Sequence, residues 1–428
     1  MLWALLDVLR REGLQVQSFL WRADFVSYRD TTAVTGLSPR HLDSWLMSPE
    51  LCRQMLLRGS QNADIAVVQG KFATALDNVE SAGGRLETLC DWLDLPRLAI
   101  LDVSRIGACQ LPHTPERVDG LFLDRVLDRD HAARLSTDLE ALWGIPVLGA
   151  LPLLLQSRAA LEAIAQGDAP PRELHRELGR QLIQHRKPGC IRDLATRRDF
   201  THAAVPPVTA SSRQITLAMA YDDAFHCYFP DVLELLELQG AKVVDFSPLR
   251  DEVLPRQSDV VYLGCGRPER YAAELAENHC MKFALRSHLR QGRRIYCEGG
   301  GMAYLCQRME TLQGEFKRMV GIIPAEARLC AAPQPPQPVE ATLSRASWLG
   351  AAGSKVRGYR NPTWHLEPAG PLLSFLAEEG CRRDMVGSFH AVASRLHLNF
   401  AALPGLLHHF FRPHHYCPAV PDPWTAVQ

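Results

Sequence analysis

The chain has 428 residues, with 47 Lys and Arg against 48 Asp and Glu and a formal net charge of −1. That balance gives no electrostatic reason to expect nucleic acid or an anionic membrane surface as a partner. Hydrophobic content of 46% and charged content of 22% are those of a globular chain long enough for two full cores.

The twelve cysteines stand singly, with no CxxC pair. In a chain of this size that pattern fits reduced thiols in the cytoplasm better than disulfides or structural zinc, so neither a metal site nor a disulfide framework is expected. The opening MLWALLDVLRREGL is apolar but interrupted by Asp7 and Arg10-Arg11-Glu12, and it lacks the basic lead and cleavage site of a signal peptide. No apolar run approaches the roughly 20 residues of a spanning helix.

Leu2, Leu5, Leu6 and Leu9 recur at helical spacing, which predicts an amphipathic helix ending near Gly13 and no strand ahead of it. A strand follows over 14–19. Strands at 63–68, 98–103, 120–126 and 147–151 then alternate with helices at 86–93 and 131–143, the signature of right-handed crossovers and a mainly parallel sheet. Residues 156–184 read as helical with a break at Gly167 to Pro171. Residues 186–213 are polar, contain proline and show no period, so they are the candidate linker between domains at 1–185 and 214–428. A second alternation runs through strands at 215–219, 243–246, 260–263 and 294–296. Ala331 to Pro338 is rich in Pro and Gln and reads as an extended loop.

Ile295 to Leu305 organises the second domain. Ile295-Tyr296 closes a buried strand, Gly299-Gly300-Gly301 permits a tight turn, and a helix over 302–309 leaves that turn. Strand, sharp turn and helix form the frame that projects a nucleophile from its tip while the helix start supplies amide donors. The tip here is Gly299, which has no side chain.

Three stretches resemble the cobyrinate a,c-diamide synthase family of corrin biosynthesis. They are Arg40-His41-Leu42-Asp43-Ser44-Trp45-Leu46-Met47; Asp223 to Pro230 with Leu233 to Leu236 and Phe246-Ser247-Pro248-Leu249; and Gly266-Arg267-Pro268-Glu269 with Asn278, leading into the Gly299 turn. The resemblance implies an α/β fold of two tandem domains. The first is P-loop-NTPase-like (dethiobiotin-synthetase-like), and the chain starts after the first strand and P-loop of that pattern. The second is class I glutamine-amidotransferase-like. It further implies ATP- and magnesium-dependent amidation of corrin carboxylates with ammonia drawn from glutamine.

Both half-sites depart from the family pattern. No G-x-x-x-x-G-K-[ST] motif occurs in the chain, so nothing supplies the phosphate cradle and its lysine. Where the family has Glu-Gly at a strand end, this chain has Gln69-Gly70, and Leu20 and Ala23 replace a lysine and a proline ahead of Asp24. Asp77 still aligns within a loop that otherwise diverges. In the second domain Gly299 takes the place of the cysteine nucleophile, and His397 matches the base. Asn399 stands for a second histidine, and Tyr359-Arg360-Asn361-Pro362 replaces His-Glu-Phe-His. Cys297, two positions before the turn, reads as a buried apolar residue.

The resemblance carries over Asp24, Asp43, Ser44, Gly266, Glu269 and Gly300 as substrate contacts, His397 as a remnant base and Gly299 as the place of the lost nucleophile. It leads to the expectation of a binding or regulatory relative without amidating activity and without a bound cofactor. Its candidate partners are a tetrapyrrole, an active relative or a second copy of the chain. The alternatives are amidation fed by free ammonia, should a P-loop lie upstream, and a pocket beside Gly266 and Gly300 for an unrelated ligand. Adjacent His226-Cys227 and His279-Cys280 point apart and form no dyad. His408-His409, His414-His415 and Cys417 have the composition of metal ligands but sit in a Pro-rich tail.

Overall fold

The first helix forms over Leu2–Arg11 and buries Ala4, Leu5, Leu6, Val8 and Leu9 on one face. Asp7 is buried among them, and it is held there by Arg11 Nε at 2.6 Å and His175 Nδ1 at 3.0 Å. His175 lies on the Arg172–Gln184 helix, whose Leu178 and Leu182 share a core with the first helix, Val16, Phe122, Leu148 and Leu151. A computed structural model describes residues 1–22, 28–72, 84–106, 117–164, 168–196, 207–331 and 335–413. It divides into two units, Met1–Pro207 and Val208–Gln428.

In the first unit Val16–Leu20 runs parallel between Arg40–His41 and Ile65–Gln69, and Gly120–Val126 runs parallel between Leu98–Asp102 and Val147–Pro152. The expected parallel pairing is therefore present, as two three-stranded sheets among the described residues. The candidate linker over 186–213 needs correction at its start. Cys190–Ala195 is a helix whose Cys190, Ile191 and Leu194 pack into the core of the first unit. Three apolar residues within one turn and a half are too short a run to announce a helix by periodicity.

The second unit is built on a six-stranded sheet in the order Met385–Gly387, Ala391–Ser394, Arg294–Glu298, Val260–Leu263, Ile215–Ala220, Ala241–Phe246. All neighbours are parallel except the edge strand Met385–Gly387. Its central strands are covered on both faces, which is why they read as unbroken apolar runs rather than alternation. Two expectations fail beside this sheet. The helix leaving the Gly299 turn covers only Gly300–Leu305, and Cys306–Glu310 is a strand between Phe316–Arg318 and Ile323–Leu329. Met302, Leu305, Cys306 and Met309 suit a helical stripe, but the backbone of 306–310 gains two pairing neighbours by extending. The Pro-rich loop ends earlier than expected, because Gln337–Thr342 is a strand antiparallel to Lys355–Arg360. Among the described residues no helix is long and apolar enough to cross a membrane.

Candidate functional site

The Arg294–Glu298 strand is buried along its whole length, and the chain turns at Gly299 with φ +47° and ψ −108°. That backbone conformation is one an L side chain adopts only under strain. The elbow geometry expected from the sequence is thus formed at the C-terminal end of a central parallel strand, where sheets of this class place their sites. As Asn361 and Cys265 are placed, a side chain at the turn would have to displace them. A Cβ on Gly299 would lie 2.6 Å from Asn361 Nδ2 and 2.8 Å from Cys265 Sγ. The sulfur of Cys265 sits against the place that a nucleophile at the tip would use.

Cys265 belongs to the two-residue strand Cys265–Gly266, which pairs antiparallel with Phe225–Cys227. Its sulfur lies 3.8 Å from His397 Nδ1 and receives Asn361 Nδ2–H at 4.0 Å. Burial, followed by the nearby Glu298 carboxylate, pushes the thiol well above its ordinary value. His397 Nδ1 also makes a short contact with Glu298 Oε2, and its ring stacks on Phe229 with centroids 4.0 Å apart. Glu298 Oε1 accepts from Tyr296 Oη at 2.6 Å and from Leu398 N at 3.2 Å. Glu298, His397 and Cys265 are all buried.

Two amides of the elbow are likewise occupied. Gly299 N donates to Ser394 O at 2.9 Å and Gly301 N to Gly264 O at 3.0 Å. An oxyanion hole needs amides aimed at the place where charge will develop. Here those two end on acceptors within the chain.

Cys297 is buried, its Sγ–H donates to Val392 O at 3.7 Å, and burial raises its thiol well above the ordinary range. It is the small buried residue that its place in the strand predicts. Cys280, on the helix His279–Arg290, is exposed. Brief iodoacetamide treatment of the native chain is therefore expected to label Cys280 and leave Cys265 and Cys297 unmodified, as read by peptide mass mapping. Labelling of Cys265 as fast as Cys280 would show an accessible, activated thiol instead.

Comparison with known proteins places this geometry. The family described as the CobB/CobQ-like glutamine amidotransferase domain matches residues 216–402. A cobyrinate a,c-diamide synthase of Syntrophotalea carbinolica is 31% identical over 432 residues, spanning 93% of this chain and 91% of that protein. This chain belongs to the cobyrinate a,c-diamide synthase family. The enzymes of that name from Synechococcus sp. and Salmonella typhimurium are 30% and 28% identical, each over 95% of this chain and 93% of their own length.

Other family positions sort into two groups. Gly266 and Gly300 meet at the elbow, where a Cβ on Gly300 would lie 2.7 Å from Pro268 Cδ and 3.3 Å from Gly266 O. Glu269 is close by in the Pro268–Tyr271 turn, half-buried, with Oε2 sealed from solvent and burial raising its carboxyl. These three residues and His397 form one neighbourhood. Asp43 and Ser44 are elsewhere, in the first unit. Asp43 accepts from Trp45 N at 2.7 Å and Leu46 N at 3.1 Å, and Ser44 Oγ exchanges hydrogen bonds with the backbone of Arg85. Both side chains hold loop backbone. Asp24 and Asp77 lie outside the described residues, as do His414, His415 and Cys417. His409 is buried, with Nδ1 3.1 Å from Trp348 O. Asn399, at the family's second histidine, caps the Phe400–Ala402 turn by accepting from Ala401 N at 3.0 Å.

Among the described residues of the first unit, one position at the expected nucleotide side carries no charge. Gln69 closes the Ile65–Gln69 strand as a neutral amide 3.5 Å from Thr31 Oγ1, where the family pattern places a carboxylate, and no P-loop motif occurs within these 428 residues. A hard cation needs oxygen ligands of higher charge.

Sequence reasoning missed Cys265 and Asn361 as members of the site. Cys265 carried one usable sign. It is a thiol flanked by Gly264 and Gly266, in a stretch where the backbone has to approach another strand closely.

Proposed function

We propose that this member of the family does not release ammonia from glutamine and acts as a binding or regulatory relative of the amidating enzymes. The observation that carries the reading is the elbow itself, whose tip is glycine and whose side-chain space is closed by Cys265 and Asn361. A glutaminase needs a thiolate at the tip, a base beside it and open amide donors. His397 remains, but it is bonded to Glu298, and the Gly299 and Gly301 amides serve acceptors of the chain. The neutral Gln69 supports a matching loss in the nucleotide half-reaction. The ligand best supported is a tetrapyrrole related to the substrate named for the relatives.

Purified protein given ATP, magnesium, glutamine and cobyrinate is expected to release neither phosphate nor glutamate. Phosphate released with ammonium salts in place of glutamine would instead favour ammonia-fed amidation. Thermal shifts separate the ligand classes, because a ligand of the native state raises stability. A corrinoid is expected to raise Tm, whereas glutamine leaves it unchanged.

A further inference from the structure

Cys265, Glu298 and His397 come from three separate stretches of the second unit, yet Sγ, a carboxylate oxygen and a ring nitrogen all lie within 4.8 Å of one another. Among the described residues this is the one such group of three. The arrangement differs from a proton relay. A relay engages one ring nitrogen with the nucleophile and the other with the orienting acid. Here the same atom, Nδ1, faces both the sulfur at 3.8 Å and Glu298 Oε2. Three donors of these types, gathered within 4.8 Å, can converge on one ion.

The donor chemistry and charge agree. Thiolate, imidazole and carboxylate together suit a borderline-soft divalent ion such as zinc. On binding, Cys265 gives up its proton, and the thiolate and the Glu298 carboxylate together balance the two charges of a divalent ion. The loaded site is then neutral, as a buried place requires. The outer contacts orient two of the ligands. Tyr296 Oη and Leu398 N hold Glu298 Oε1 and leave Oε2 facing the cluster, and Phe229 fixes the imidazole plane.

We propose that Cys265 Sγ, Glu298 Oε2 and His397 Nδ1 form a buried site for a divalent transition metal of the zinc class, in the space a glutaminase nucleophile would use. This departs from the expectation, drawn from the scattered cysteines, that the chain holds no metal. Ligand distances of about 2.0–2.3 Å require the ion to enter between Oε2 and Nδ1, which now touch. The sulfur binds as thiolate and releases its proton to solvent, and the ring binds neutral through Nδ1 with its hydrogen on Nε2. The inference rests on Cys265 not being a working glutaminase thiol. Glutamate release and metal content are separate measurements, so either reading can fail without the other.

The test is the metal content of the full chain, purified from zinc-supplemented medium and measured by elemental mass spectrometry. About one zinc per chain is expected, falling at least tenfold in Cys265→Ala with the circular dichroism unchanged. A His414→Ala/His415→Ala variant is expected to keep its zinc, which separates the site from the tail. Reconstitution of the chelated protein with cobalt(II) is expected to give a thiolate-to-cobalt charge-transfer band in the wild type and none in Cys265→Ser. The serine variant carries the test if the alanine variant does not fold. Zinc that is absent, that is equal in wild type and both Cys265 variants, or that leaves with the tail histidines overturns the proposal.

Discussion

Replacing Gly299 by alanine is expected to destabilise the second unit by about 3 kcal/mol, the sum of a strained backbone conformation and overpacking. Alanine at φ +47° must place its Cβ against Asn361 Nδ2 and Cys265 Sγ. Asn361 yields little, because its Oδ1 accepts from Thr363 N at 2.8 Å and its backbone N donates to Arg395 O at 2.8 Å. If the sulfur contributes to the penalty, the two positions are coupled. Gly299→Ala in a Cys265→Gly background should then cost about 1 kcal/mol less than in the wild type, within the range seen for touching residues. Urea unfolding of the full chain, with hydrogen exchange of peptides covering 294–305 to assign the transition to this unit, reads both values. An additive cycle would mean that Cys265 does not close the space at the tip.

Asp384→Ala is expected to cost about 3–5 kcal/mol, the range for uncoupling a buried charge. Asp384 is 1% exposed and takes Arg360 Nε at 2.9 Å, Arg360 Nη2 at 2.6 Å and Arg395 Nη1 at 3.2 Å. Without it two largely buried guanidiniums face each other with no carboxylate between them. The two arginines flank Asn361, one in sequence and the other through the Asn361 N to Arg395 O bond, so the loss also loosens the residue that donates to the Cys265 sulfur. The drop in urea midpoint measures the cost. A loss under 1 kcal/mol would show that water replaces the carboxylate and that the network does not hold this corner of the site.

The alternation of strands and helices was legible because buried parallel strands carry their own mark. Leu121-Phe122-Leu123 within Gly120–Val126, and Val260–Leu263, are short apolar runs of the kind that a covered strand needs. The elbow at Gly299 was legible for a similar local reason, three glycines closing a buried strand. Cys306–Glu310 was misread because its residues fit a helical stripe equally well, and pairing with two strands distant in sequence decides the matter. The Cys190–Ala195 helix was hidden inside a polar stretch because its stability comes from Cys190, Ile191 and Leu194 reaching a core assembled elsewhere. The cluster itself was out of reach. Cys265, Glu298, Asn361 and His397 span more than a hundred positions, and the first, second and last lie on strands of three different sheets, so only the packing of those sheets brings them together. No spacing rule expresses that proximity. The family resemblance located His397 and the empty tip, while the sulfur that fills the gap stands where no motif asks for a thiol.

Glutamate release from glutamine by the purified full chain, compared with Cys265→Ala and Cys297→Ala, tests the central claim most directly. With the tip at Gly299 closed and the Gly299 and Gly301 amides occupied, all three proteins should release glutamate at the rate of buffer alone, with or without ATP and cobyrinate. Release by the wild type that disappears in either cysteine variant would contradict the account and assign that thiol the nucleophile's work.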